Sequence, residues 1–213
     1  MKEIVIYSGI YLALFGITEW LYHKQKFQAE TTRKIVHICT GIIALTFPSY
    51  LLHLWQTALL CGSFLLLMFV SERYRWFKSI TAVERKSYGS WLFAVVVLLC
   101  FFIQQKLDNT TLYFAPILVL SLADPMAAFI GKKLHFKPFT VWGQTKTLGG
   151  TLAFMATCFV ILLILNTGEI TFSKLLKLLL ISGITAVVEA ISTKGWDNLT
   201  IPISIIVLLY FFN

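Results

Sequence analysis

Apolar runs long enough to cross a bilayer alternate along this chain with short polar stretches. A membrane-spanning helix takes roughly 17–25 predominantly apolar residues. The runs fall at residues 4–22, 35–48, 54–70, 89–104, 112–131, 147–165, 175–191 and 201–212. Longer polar linkers occupy residues 23–34, 71–88 and 132–146. This pattern predicts an all-α, polytopic transmembrane helical bundle of about eight spans, a single integral-membrane domain over residues 1–213. The second run is short, so its helix is expected to begin before Arg33. In the fifth, Asp124 precedes Pro125. Proline lacks a backbone donor and collides with the preceding turn, which predicts a broken helix near Asp124. Asp124 then takes the N-cap, Pro125 the first helical position, and Gly131 closes the segment.

Composition agrees. Hydrophobic residues make up 58% and charged residues 13% of the chain, against about 25% charged in soluble domains. The net charge of +8 raises nucleic acid as a partner. The basic residues fall between spans, however, where membrane lipids and anionic substrates are nearer, and no nucleic-acid partner is expected. Fourteen of the eighteen Lys and Arg lie in alternate linkers. By the positive-inside rule those linkers face the cytosol and both termini lie outside. Cys39, Cys61, Cys100 and Cys158 all sit in apolar runs without a CxxC pair, a pattern of packing rather than disulfides or zinc. The first run follows Lys2, lacks a small-residue cleavage pattern and contains Glu19, so it reads as a retained span. No internal repeat or low-complexity segment is present.

Every polar cluster falls on the expected cytosolic side. On a helix, Arg33 and His37 stack one turn apart with Lys34 beside them, a cationic face suited to phosphate oxygens or an ordinary positive-inside anchor. Glu84, Arg85 and Lys86, before Tyr88 and Gly89, have the mixed charge of a solvated loop end. An ionisable residue inside a membrane-length run, such as Asp124, is a functional candidate by default. A helix cap alone could be Ser or Thr at lower desolvation cost, which favours a metal ligand. The stretch from Gly143 to Gly150 sets glycines, Lys146 and Thr147 before a helix, as a phosphate loop does, without the Walker spacing. Last, Glu189 and Asp197 flank a turn that faces Asp124 and could hold Mg²⁺ with substrate phosphates. Turn chemistry accounts for Gly195, Asp197, Asn198 and Pro202, with Pro202 starting the last helix, but not for Glu189.

With these residues laid out, nearly the whole chain resembles the CTP-dependent lipid kinases (dolichol kinase, phytol kinase and the CTP-using diacylglycerol kinase), relatives of the phosphatidate cytidylyltransferases. Arg33-Lys34-Ile35-Val36-His37 is similar to the family's Arg-Lys-x-x-His opening. Residues 123–131 are similar to its Gly-Asp-x-x-Ala-x-x-x-Gly element, with Ala123 in place of Gly. Residues 146–151 resemble its Lys-[Ser/Thr]-x-Glu-Gly-[Ser/Thr], with Gly149 in place of Glu. Residues 189–202 resemble the kinase branch's Glu…Asp-Asp-Asn-Leu-x-x-Pro, with Trp196 in place of the first Asp. The His-Gly-Gly ending of the cytidylyltransferases has no counterpart, since no His follows His135.

The resemblance implies transfer of the γ-phosphoryl of CTP to the primary hydroxyl of an isoprenoid alcohol (dolichol, phytol or polyprenol-like) or of diacylglycerol, at the cytosolic face of a bacterial cytoplasmic or endoplasmic reticulum membrane. Asp124 and Asp197 are then the Mg²⁺ ligands, and Arg33, Lys34, Lys146, Thr147 and Asn198 hold the nucleotide and its phosphates. Glu189 or His37 is the base. The competing readings are a phosphatidate cytidylyltransferase and a non-catalytic membrane protein or transporter.

Overall fold

The computed structural model describes residues 1–74, 76 and 88–212. Glu84, Arg85 and Lys86, and with them Arg75 and Lys78 of the same linker, lie outside the described residues. The elements are α1 (Lys2–Lys24), α2 (Ala29–Ala44), a short α3 (Phe47–Tyr50), α4 (Leu54–Tyr74), α5 (Gly89–Leu107), α6 (Thr111–Leu118) and α7 (Asp124–Leu134). A hairpin of β1 (Pro138–Val141) and β2 (Gln144–Thr147) precedes α8 (Leu148–Ile164), α9 (Phe172–Ile191) and α10 (Asp197–Phe212).

The fold is an all-α helical bundle. Among the described residues, four helical rods, Lys2–Lys24, Leu54–Tyr74, Gly89–Leu107 and Thr111–Leu134, are long and apolar enough to cross a membrane, and α8 and α10 are shorter apolar helices. As expected, α2 begins before Arg33. The outer faces stay apolar: Val5, Leu12, Leu66, Phe69 and Val187 are each more than half exposed. Such a surface suits a hydrocarbon surround. Three of the four cysteines are buried, and all four are free thiols.

The Thr111–Leu134 rod is the most enclosed of the four. Ala115, Ile117, Val119, Leu120 and Ala123 are fully buried along it, and α2, α5, α8 and α10 pack around it. Its Tyr113 donates a hydrogen bond from its hydroxyl to the Ala44 carbonyl at the end of α2, 2.7 Å away.

The rod is not broken at Asp124, contrary to the sequence expectation. Asp124 has helical angles, φ −63° and ψ −49°, and follows a π-helical turn at Val119–Ala123. The wider π-turn absorbs the proline ring without ending the helix, as π-bulges do at functional sites. Asp124 is therefore carried on a continuous rod rather than capping a new one. The last helix also differs: it starts at Asp197, not near Pro202, which lies inside it.

The 132–146 linker, read from sequence as a loop, contains the antiparallel hairpin, with Phe139 paired to Lys146 and Val141 to Gln144. Its two-residue turn has Trp142 at φ 48° and Gly143 at φ 76°. Positive φ at both positions is the geometry that matches strand twist in a tight hairpin.

Candidate active site

Two cavities meet on one side of the bundle. The larger, about 450 Å³, lies among α2, α7, the hairpin and the end of α9. The smaller, about 90 Å³, lies among α2, α4, α5, α7 and the start of α10. Arg33, Lys34, Asp124 and Asp197 line both. Four charged residues predicted as site residues thus form the junction.

On α7, Asp124, Ala127, Ala128, Gly131 and Lys132 line the larger cavity, with His135 just past the helix end. Their spacing is that of one helical face. The small residues make a shallow wall between an acid at one end and a base at the other. Lys132 lies in the stretch that the sequence pattern reads as a polar linker. Its signal was the two-turn offset from Asp124, legible once the helix is seen to run unbroken through Pro125.

Lys146 is presented by β2. All four residues of that strand, Gln144, Thr145, Lys146 and Thr147, line the larger cavity. The Lys146 ammonium is ion-paired with the Glu189 carboxylate and also donates to the Glu189 carbonyl at 2.7 Å. Glu189 is only 4% exposed. A buried carboxylate demands such a partner, which supplies the account of Glu189 that turn chemistry did not.

His37 lines the smaller cavity. Its Nε2 lies 3.1 Å from the Leu120 carbonyl, which can only accept, so Nε2 carries the hydrogen and Nδ1 of the neutral ring is an acceptor. The Phe93 ring meets the imidazole edge-on, with centroids 5.1 Å apart. The π-turn explains the carbonyl: in its register, Leu120 would bond to the N–H of residue 125, which is proline.

Asn198 is buried, with 9% exposure, and lines the smaller cavity. Its Nδ2 faces two acceptors, Asp197 Oδ1 at 3.1 Å and the Gly195 carbonyl at 3.3 Å. That fixes the amide orientation and leaves Oδ1 as a buried acceptor with no protein partner. Lys194 and Gly195 shape this turn with positive φ, 56° and 88°. The Lys194 carbonyl accepts from the Tyr88 N–H at 3.0 Å, which ties the start of α5 to the turn.

The glycine-rich entry to α8 is arranged differently from a phosphate loop. The Leu148 and Gly149 amides donate to the Lys137 and Phe136 carbonyls, and the Gly150 amide donates to the Thr147 hydroxyl oxygen at 3.0 Å. Thr147 is thus the N-cap, and these three amides are not presented to an anion. The glycines serve close approach instead. A Cβ on Gly150 would lie 2.8 Å from the Ala127 carbonyl, and one on Gly131 2.7 Å from Thr147 Oγ1. On Gly149 it would meet Phe136 Cβ at 3.3 Å. Trp196, at the other departure from the family pattern, is 48% exposed and lines neither cavity.

Among the described residues, no three of His, Cys, Asp and Glu cluster as a self-sufficient metal site. Two carboxylates at the junction and an orphaned amide oxygen beside them suit an ion that takes few protein oxygens and completes its shell with phosphates and water. Mg²⁺ binds in that way.

Against known proteins, the chain is 28% identical over 202 residues to phytol kinase of Synechocystis sp., an alignment covering 92% of this chain and 85% of that one. The resemblance to the lipid kinases is borne out. No family model and no solved structure matches. The apolar helices and this relative together identify an integral membrane protein.

Proposed function

We propose that the chain is a kinase that transfers the γ-phosphoryl group of CTP to the primary hydroxyl of an isoprenoid alcohol at the cytosolic face of the membrane. One observation carries this reading: a larger polar cavity and a smaller, partly apolar one share four charged residues and nothing else. The shared set is Arg33, Lys34, Asp124 and Asp197. A triphosphate fits the first, an alcohol head the second, and the reacting phosphorus lies where they join. The name of the relative, phytol kinase, supports the acceptor class.

Phosphoryl transfer needs in-line positioning and charge neutralisation more than covalent help. Lys146 and Lys132 reach into the polar cavity for the phosphate chain, with Arg33 and Lys34 at the transferred group. Asp124, Asp197 and the Asn198 amide oxygen would hold Mg²⁺, which supplies charge neutralisation at the phosphates when bound. Thr147 has its oxygen committed to the α8 cap, so its part is to hold β2 and α8 together.

Of the two predicted bases, His37 fits the role better. Its Nδ1 is free of the Leu120 bond and it lines the cavity of the alcohol. Glu189 lines only the other cavity, and its carboxylate is held by Lys146. Removing the hydroxyl proton as the oxygen attacks is general-base work, worth typically 10²–10⁴-fold.

The test uses purified protein in detergent with Mg²⁺, CTP and geranylgeraniol. Asp124→Asn and Asp197→Asn should each abolish formation of the lipid phosphate. Undiminished turnover in both variants contradicts the reading.

A further inference from the structure

The smaller cavity does not end at the polar groups. An apolar cavity of about 30 Å³ continues it and shares Thr40, Phe64 and Phe93 with it. The walls descend in step on two helices. On α4, Met68 lines the first cavity, Phe64 both, and Leu60 and Cys61 the second. On α5 the order is Ser90, then Phe93, then Ala94 and Val97. Eight residues of α4 at 1.5 Å each make a track roughly 12 Å long. Tyr11 of α1 and Phe47 of α3 line its far end.

This space is built for hydrocarbon. The hydroxyl of Thr40 is turned to the His37 carbonyl, 3.0 Å away, so it offers the track no hydrogen. An apolar void stays dry and its walls lose dispersion contacts until carbon fills it. Thr40, Phe64 and Phe93 stand where the two cavities meet, and the Phe93 ring also meets His37 edge-on. An alcohol whose hydroxyl lies at His37 therefore meets an apolar exit that leads away from the charges.

We propose that the hydrocarbon tail of the acceptor lies in this track, with Phe64 and Phe93 admitting a single chain and Leu60 and Cys61 setting the length preferred. The proposal rests on the reading of the chain as a lipid-alcohol kinase. It adds the tail site and the residues that sort acceptors.

Two measurements test it. A geranylgeraniol analogue with a diazirine on its second isoprene unit, which lies within the length of the track, is photolysed with the wild-type protein, and labelled residues are mapped by mass spectrometry. Label should fall on Leu60, Cys61, Phe64, Phe93, Ala94 and Val97. Label on the exposed residues Leu59, Leu66 and Phe69, with none in the track, overturns the proposal.

The second measurement is the ratio of kcat/KM for geranylgeraniol to that for geraniol. Leu60→Trp should lower the ratio at least tenfold and Leu60→Ala should raise it, while Val95→Trp, outside the track, leaves it unmoved. An unmoved ratio in both Leu60 variants overturns the proposal. If Leu60→Trp does not fold, both alcohols are lost alike and Leu60→Ala with the label map decides. A wild-type protein that phosphorylates neither alcohol overturns the kinase reading itself; one that phosphorylates both but labels elsewhere overturns only the track.

Discussion

His37 donates its Nε2 hydrogen to the Leu120 carbonyl, 3.1 Å away on the central rod. The bond exists because Pro125 cannot supply the helical donor for that carbonyl, and it fixes which imidazole nitrogen is left to accept a proton. Pro125→Ala restores an N–H and lets the rod relax toward a regular α-helix. The expected outcome is a folded protein whose kcat falls about tenfold, short of the loss in His37→Ala, about 100-fold or more. Steady-state kinetics on both variants check this; Pro125→Ala with unchanged kcat removes the link between the π-turn and the base.

Lys146 and Glu189 hold each other at the edge of the polar cavity. Glu189→Ala leaves Lys146 without its partner, and Lys146→Ala strands a buried carboxylate. Breaking one side of a buried pair costs about 3–5 kcal/mol. Lys146→Ala is therefore expected to lose both thermal stability and activity. The double variant Lys146→Met with Glu189→Leu should recover most of the stability and none of the activity. Melting curves in detergent beside turnover separate the two roles, and full activity in the double variant would remove Lys146 from the phosphate site.

The Asn198 amide oxygen is a buried acceptor without a partner. Asn198→Leu is similar in volume, removes that oxygen, and is expected to raise the Mg²⁺ concentration needed for half-maximal rate. A hydrogen bond or coordination of this kind is worth about 1.5–3 kcal/mol, so the shift should be about tenfold or more. A magnesium titration of the rate reads it directly, and an unshifted midpoint places the oxygen outside the metal shell.

Close helix approach should show itself in stability. A Cβ on Gly41 would lie 1.8 Å from Ser121 Oγ, and one on Gly150 2.8 Å from a backbone carbonyl. Gly41→Ala and Gly150→Ala are expected to destabilise by about 2–3 kcal/mol each. Gly62→Ala, with open space around its Cβ position, serves as the control, and equal melting temperatures across all three contradict the packing described.

Much of this was legible in the residues. Among the described residues, each of the eight apolar runs corresponds to a helical rod, because run length alone bounds a membrane helix. Arg33, Lys34, Asp124 and Asp197, predicted separately from three stretches, meet at one junction. The broken helix was misread because proline in a regular α-helix does break it; the π-turn is a register change with no residue signature of its own. The hairpin did carry a signal, two β-branched runs around Trp142-Gly143, masked by the lysines that made the stretch read as a loop. The α8 glycines look the same in sequence whether they cradle phosphate or let helices touch. Only the destinations of three amide hydrogens distinguish the two.

The central claim is the transfer of the terminal phosphoryl group to a lipid alcohol. The most direct measurement gives purified protein Mg²⁺, geranylgeraniol and CTP labelled at either the α or the γ phosphorus, with the lipid products resolved by thin-layer chromatography. Label in the lipid from γ-labelled CTP and none from α-labelled CTP is the expected result. Lipid labelled from the α position, or from neither, contradicts it.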